Sequence, residues 1–181
     1  MTRRAVTCLA LCAILALASF PACSEPLPAG ASFEAAFSPN QGSLALVLST
    51  IKSAQRTIRV AAYSFTSKPI AEALLAAHKR GVDVRVVADK KASSDQYTAN
   101  TFLANHGVPV RLHGRMAIMH NKFMVIDSRH VQTGSFNYSA AAAEKNGENV
   151  LVIRDAPELA AKYAAQWDRL WSEAADLPAR H

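Results

Sequence analysis

Hydrophobic and polar positions along this chain alternate between strand-like and helix-like spacing. Gly42-Ser43 opens a helix over Leu44 to about Ala54, with apolar residues at helical spacing. Thr57 to Ser64 reads as a strand. Ser67 is the expected cap of the next helix, Pro69 suits its first turn, and Gly81 stops it after Lys79-Arg80. Val82 to Ala88 alternates at first and is then wholly apolar, as in a strand buried on both faces. A helix is predicted from about Gln96 to Asn105, stopped by Gly107, followed by a short strand over Val108 to Leu112. Such a β-α-β-α-β run favours neighbouring parallel strands joined by right-handed crossovers.

The second half changes character. Lys122 to Asp127 and Val131 to Thr133 form an expected hairpin, which brings antiparallel pairing. A helix over about Tyr138 to Lys145 leads to a strand over Glu148 to Ile153. Asp155 is the expected cap of a last helix, Pro157 to Glu173, with Leu159, Tyr163, Trp167 and Leu170 along one face. The prediction is a single α/β domain over 41–176, a mixed β-sheet flanked by helices on both faces.

The front of the chain is different. Arg3-Arg4, the apolar run Ala5 to Ala18 and the small residues after it read as a signal peptide over 1–24. Cleavage fits after Ala18 or Ser24, and Cys23 after Ala22 hints at a lipid anchor. Residues 25–40 are rich in Pro, Ala and Ser and read as a linker with one short strand at Ser32 to Phe37. An exported protein, periplasmic or secreted, is therefore expected. All three cysteines (Cys8, Cys12 and Cys23) lie in the leader, which leaves the folded domain no disulfide or thiolate metal site.

Charge narrows the partners. The chain has 20 Lys+Arg against 14 Asp+Glu, a formal +6. Without Arg3 and Arg4 it keeps 18 against 14, or +4. That surplus suits a polyanion or an anionic membrane surface.

Candidate chemistry is concentrated between His120 and Asn149. His120 and Lys122 are two apart at the start of an apolar strand, so on regular β-structure they share a face. Their Cα atoms would then lie roughly 7 Å apart, close enough to converge on one phosphate. Imidazole is a nucleophile and proton carrier near neutral pH, and the lysine is a fixed charge for non-bridging oxygens. Asp127 is an odd number of residues beyond Lys122, faces away and takes a structural role. Gly134-Ser135-Phe136-Asn137 falls where a strand should end and a helix begin. There glycine permits an unusual backbone, and Ser135 and Asn137 offer short polar groups beside unpaired helix N–H groups. Glu148 opens another strand, where a carboxylate could hold a histidine ring.

This H-x-K-x-x-x-x-D followed by G-S-x-N resembles the signature of the phospholipase D superfamily, above all its small single-motif bacterial Nuc-type endonucleases. AAYSFTS (Ala61 to Ser67), KRGVDVRVVADKK (Lys79 to Lys91) and the ENVLVI strand share in the resemblance, which spans about Phe33 to Trp171. It implies a phospholipase D-like fold with a phosphohistidine intermediate on His120. Lys122, Ser135 and Asn137 would bind the phosphate, Glu148 would orient His120, and Asp127 and Gly134 would be structural members of the motif. No cofactor and no metal is implied.

The remaining histidines (His78, His106, His113, His130 and His181) show no metal-ligand spacing and read as surface or loop. Lys90-Lys91, Arg111 and Arg115 are candidates for flanking phosphates or for a solvated face. Tyr63 and Phe65 read as core or site wall. In-line displacement needs a nucleophile and an opposed acid, yet the chain has one H-x-K motif. Larger family members carry two copies and small ones pair two chains, so a homodimer with one shared site is expected. Three functions follow from these readings. The favoured one is non-specific hydrolysis of DNA, with RNA as a further substrate, without metal. The second is phospholipase D or cardiolipin-type hydrolysis of a phospholipid headgroup, and the third is a non-catalytic nucleic-acid or anion-binding module.

Overall fold

The computed structural model describes residues 24–93 and 98–179. The expected leader and Cys23 fall within residues 1–23, outside the described residues, apart from Ser24 at its end. The predicted start of a helix near Gln96 also lies outside them.

Among the described residues, eight strands form one mixed sheet. Three are parallel neighbours: β2 (Thr57–Ala62), β3 (Asp83–Asp89) and β4 (Val110–His113). Helices α2 (Lys68–Lys79) and α3 (Ala99–Asn105) make the two crossovers between them. On the other flank of β2 the sheet turns antiparallel through β5 (Lys122–Ile126), β6 (His130–Gly134), β7 (Glu148–Arg154) and β1 (Ser32–Ser38). A two-residue strand, β8 (Ala175–Asp176), closes the far edge against β4.

Side-chain alternation divides the core between two layers. Met124 and Ile126 of β5 join Ile58, Val60, Val84 and Val86 under α2, α3 and α1 (Ser43–Ser53). Phe123 and Val125 point the other way, with Ala61, Val87 and Val131, against α5 (Pro157–Glu173). Every residue of β5 is consequently buried, each large apolar side chain contributing about 1.5–3 kcal/mol relative to exposure. Trp167 anchors α5, its indole N–H donating to the Val60 carbonyl at 2.8 Å, so the buried polar atom is satisfied. This is the expected α/β domain with helices on both faces.

Several local readings need correction. The strand foreseen within 25–40 pairs along its whole length with β7, from Ser32↔Arg154 to Ser38↔Glu148. The sheet therefore begins inside the stretch read as a linker. Asp155 does not cap α5. It has a positive φ of 54° and its carboxylate pairs with Arg129, while Ala156 occupies the cap position without a side-chain bond. Ser67 sits at the cap of α2 but its hydroxyl makes no cap bond. No helix starts at Ser135 to Asn137. Helix α4 (Ala140–Glu144) is shorter than expected and is capped by Ser139, which accepts from Ala142 N at 3.2 Å. Among the described residues no helix is long and apolar enough to cross a membrane.

Candidate active site

The site lies where the sheet changes direction, at the end of β2 and the start of β5. The hairpin β5–β6 sets its geometry, pairing Met124 with Gln132 and Ile126 with His130. Asp127 and Ser128 both have positive φ, 53° and 57°, and Arg129 N donates to Ile126 O at 3.1 Å, as a tight hairpin turn requires. Lys122 and Gly134 are thereby brought to the same open end.

His120 precedes β5 and is exposed, so it does not share a regular strand with Lys122. The two are brought together differently. Lys122 is 8% exposed and its Nζ donates to the His120 carbonyl at 2.9 Å. The Tyr63 ring, just beyond β2, lies 4.4 Å from the His120 ring between centroids and 5.2 Å from Lys122 Nζ. Burial pulls the lysine below its ordinary pKa, and the negative charge of Glu148 opposes that shift.

Gly134 determines how closely β6 and β7 approach. Its φ is 141°, and a Cβ there would sit 2.2 Å from the Asn149 carbonyl oxygen. Without one, Ser135 reaches β7. Its hydroxyl donates to Glu148 Oε2 at 2.6 Å and accepts from Asn149 N and Nδ2 at 3.1 and 3.2 Å. Glu148 also accepts from Asn146 at 3.4 Å. Its hydrogen bonds are thus to Ser135 and Asn146, not to His120. Asn137 has a buried Oδ1 without a hydrogen-bond partner among the described residues.

The Ser135–Tyr138 turn is held from below. Phe136 and Tyr138 are fully buried, and the Tyr138 hydroxyl donates to Gln132 at 2.7 Å. Burial pushes that phenol far up. The Tyr138 carbonyl accepts from Thr66 and Ser67 N–H, which ties this turn to the loop that carries Tyr63.

Asp127 is at the opposite end of β5 from Lys122. Its carboxylate accepts from the backbone N–H of Gln55, Arg56 and Thr57 at 2.9, 2.7 and 2.9 Å, joining the hairpin turn to the start of β2. Burial raises its pKa, but those three donors more than offset this and hold the carboxyl below its usual range.

A cleft of about 360 Å³ opens between this end of the sheet and α5. His120, Lys122, Thr133 and Gly134 line one side, and Lys162, Tyr163 and Gln166 line the other. The sequence reading missed the α5 wall. The available signal was the helical spacing of Lys162 and Gln166 beside the apolar stripe. Two basic candidates are otherwise engaged. Arg111 pairs with Asp176 and stacks on Trp171 at 4.5 Å, and Lys91 donates to Ala117 O. His113 and His130 are not surface residues either. His113 is 1% exposed and bonds Glu173 at 3.1 Å, while His130 accepts from Asp155 N at 3.0 Å. Among the described residues no three His, Cys, Asp or Glu side chains gather as a metal site.

An exposed imidazole, a nearly buried ammonium and a hydroxyl–carboxylate pair meet at one sheet end, on the fold of the phospholipase D superfamily. The family described as cardiolipin synthase, PLD-like domain, matches residues 47–171, and the chain belongs to it. Among solved structures, the phospholipase D family member Nuc from Salmonella typhimurium is 40% identical, with a TM-score of 0.81. The match covers 82% of this chain and 99% of that one. Among curated relatives, a mitochondrial cardiolipin hydrolase from Chlamydomonas reinhardtii is 35% identical over 135 residues, covering 75% of this chain and 60% of that protein. A phospholipase D from Rickettsia bellii is 36% identical over 131 residues, covering 72% and 65%. The chain spans less than two thirds of the length of these two curated relatives.

Proposed function

We propose that this phosphodiesterase hydrolyses DNA, with RNA as a second substrate, without a metal and with little sequence preference. The observation that carries the reading is the convergence of His120, Lys122 and Tyr63 at the mouth of a small cleft. The His120 ring nitrogen attacks phosphorus and the bond to the leaving ester oxygen breaks, giving a phosphohistidine and an alcohol once that oxygen is protonated. Water then attacks the phosphohistidine, releasing a phosphate monoester and restoring the imidazole. Lys122 and Asn137 hold the non-bridging oxygens, and the ammonium supplies the charge that many nucleases take from magnesium. Ser135 joins them when its hydroxyl proton, donated to Glu148 in the free chain, turns to the phosphate. Glu148 fixes the Ser135 hydroxyl and sustains the charge on Lys122. These contacts address phosphate and read no base edge.

One His120 cannot be both nucleophile and opposed acid, so the working form is a homodimer in which the partner's His120 protonates the leaving oxygen. An export leader over 1–24 would deliver it outside the cytoplasm. Support for a nuclease comes from the match along 99% of Nuc and from the motifs' resemblance to the small endonucleases. The second reading, phospholipid headgroup hydrolysis, is favoured by the names of the curated relatives.

Purified protein in excess EDTA, given plasmid DNA and headgroup-labelled phospholipid side by side, separates the two, with His120→Ala as control. Cleavage of DNA by the parent alone, with an acid-labile phosphate trapped on it, is the expected result. Cleavage of lipid alone makes the second reading the answer. Loss of all turnover on chelation overturns the metal-free step, and full activity in a dilute monomer overturns the shared site.

A further inference from the structure

Lys162 has no part in the chemistry above, yet it lines the cleft opposite His120 and Lys122. Gln166 is one helical turn further along α5 and lines the same wall. Lys162 Nζ is already occupied by an anion: Glu25 Oε1 lies 2.7 Å away. Glu25 belongs to the segment before β1, 137 residues distant in sequence. The two side chains are 58% and 51% exposed, and ion pairs in such surroundings hold weakly and exchange readily. Glu25 thus gives Lys162, at the rim of the cleft, the kind of anionic oxygen that a phosphate also carries.

We propose that Lys162 binds the phosphate next to the scissile one in a nucleic-acid strand, and that Glu25 is its internal competitor. The inference rests on the nuclease reading above. Lys122 is nearly buried and serves the reacting phosphate, whereas Lys162 is open to solvent and meets a second one. A lysine suits this task because its ammonium is a compact charge that accepts phosphate oxygens from several directions. Gln166 adds an amide donor on the same wall. In the free chain Glu25 neutralises Lys162, and the incoming strand displaces it. A substrate with a single phosphate gains nothing from this contact.

The test compares the full chain with its Lys162→Gln, Lys162→Arg and Glu25→Gln variants on two substrates. One is a short single-stranded oligonucleotide, and the other is bis(4-nitrophenyl) phosphate, which has one phosphate. Lys162→Gln should raise KM for the oligonucleotide about tenfold, well beyond any change on the single-phosphate diester, and lower the salt slope by about 0.7. Lys162→Arg, which retains the charge, should stay near the parent and so separates charge from folding. Glu25→Gln should lower KM for the oligonucleotide severalfold, and this gain should vanish when combined with Lys162→Gln. Equal effects of Lys162→Gln on both substrates, or no gain from Glu25→Gln, overturn this inference and leave the nuclease reading standing. A parent chain that cleaves diphosphatidylglycerol vesicles but no oligonucleotide overturns both.

Discussion

Lys122 donates from Nζ to the carbonyl oxygen of His120 at 2.9 Å, so the buried charge is steered by the backbone of the residue it assists. Replacing Lys122 with Met removes the charge while filling much the same volume. Turnover should fall by roughly 10²–10³, the usual cost of losing one preorganised group that stabilises developing negative charge. Melting temperature should be kept, because no buried partner is left with an unpaired charge. Steady-state kinetics and a thermal melt on one preparation check both halves.

The Tyr63 ring packs beside both His120 and Lys122. Tyr63→Phe should retain most activity. Tyr63→Ala should lose about 10²-fold in kcat, since a small misplacement of a reacting group costs that much. The melting temperatures of the two variants should differ far less than their rates. Equal rates would show that the ring is only wall.

Asp127 carries a stability prediction. Asp127→Asn leaves one acceptor oxygen for three backbone N–H groups and should cost about 1–3 kcal/mol in urea unfolding. The folded carboxyl titrates below its unfolded value. Its contribution is therefore complete above the unfolded pKa of about 3.9 and is lost as pH falls through the folded value. The variant should lack that part of the acid limb.

His130 works in a higher window. Burial lowers its pKa first, Asp155 and Asp127 raise it, and Arg129 and Arg154 lower it further, with a net downward shift. The unfolded chain then binds the proton more tightly. Stability should fall as pH drops below about 6.5 and level off beneath the folded pKa. His130→Gln, which retains an acceptor for Asp155 N, should flatten the urea midpoint between pH 7 and pH 5.

Gly134→Ala tests the close approach of β6 and β7. A Cβ would meet the Asn149 carbonyl at 2.2 Å, with φ already at 141°. The strands must part, and a loss of about 2 kcal/mol or more is expected in chemical denaturation. Activity should fall further than unfolding explains, because Ser135 then leaves Glu148.

The legible parts of this protein were the local ones. The parallel half was visible because β2, α2, β3 and α3 each carry their own periodicity and stops. The motif residues were visible because a single hairpin and the turn after it bring 120–149 to one sheet end. The α5 wall was hidden, since Lys162 reaches the cleft through the packing of α5 on strands distant in sequence, as in the Tyr163–Phe123 ring contact and the Trp167 bond to the Val60 carbonyl. Asp155 misled because aspartate before proline looks like a cap, whereas an ion pair to Arg129 on the neighbouring hairpin claims it. His113 and His130 looked polar, but inside the fold Glu173 bonds the Nε2 of His113 and the Asp155 N–H bonds the Nδ1 of His130. Partners that come from distant strands leave no mark in a local pattern.

The pairing of β1 with β7 joins residues 32–38 to residues 148–154. The first strand of the sheet therefore has no neighbour until almost the whole chain exists, and closing so long a loop slows folding. The cleft needs α5 as well. A ribosome-bound chain that has exposed His120, Lys122 and Asn137 still lacks both the edge and the wall. On the nuclease reading proposed above, a truncated product ending before Pro157 should therefore be inert toward the polymers around it.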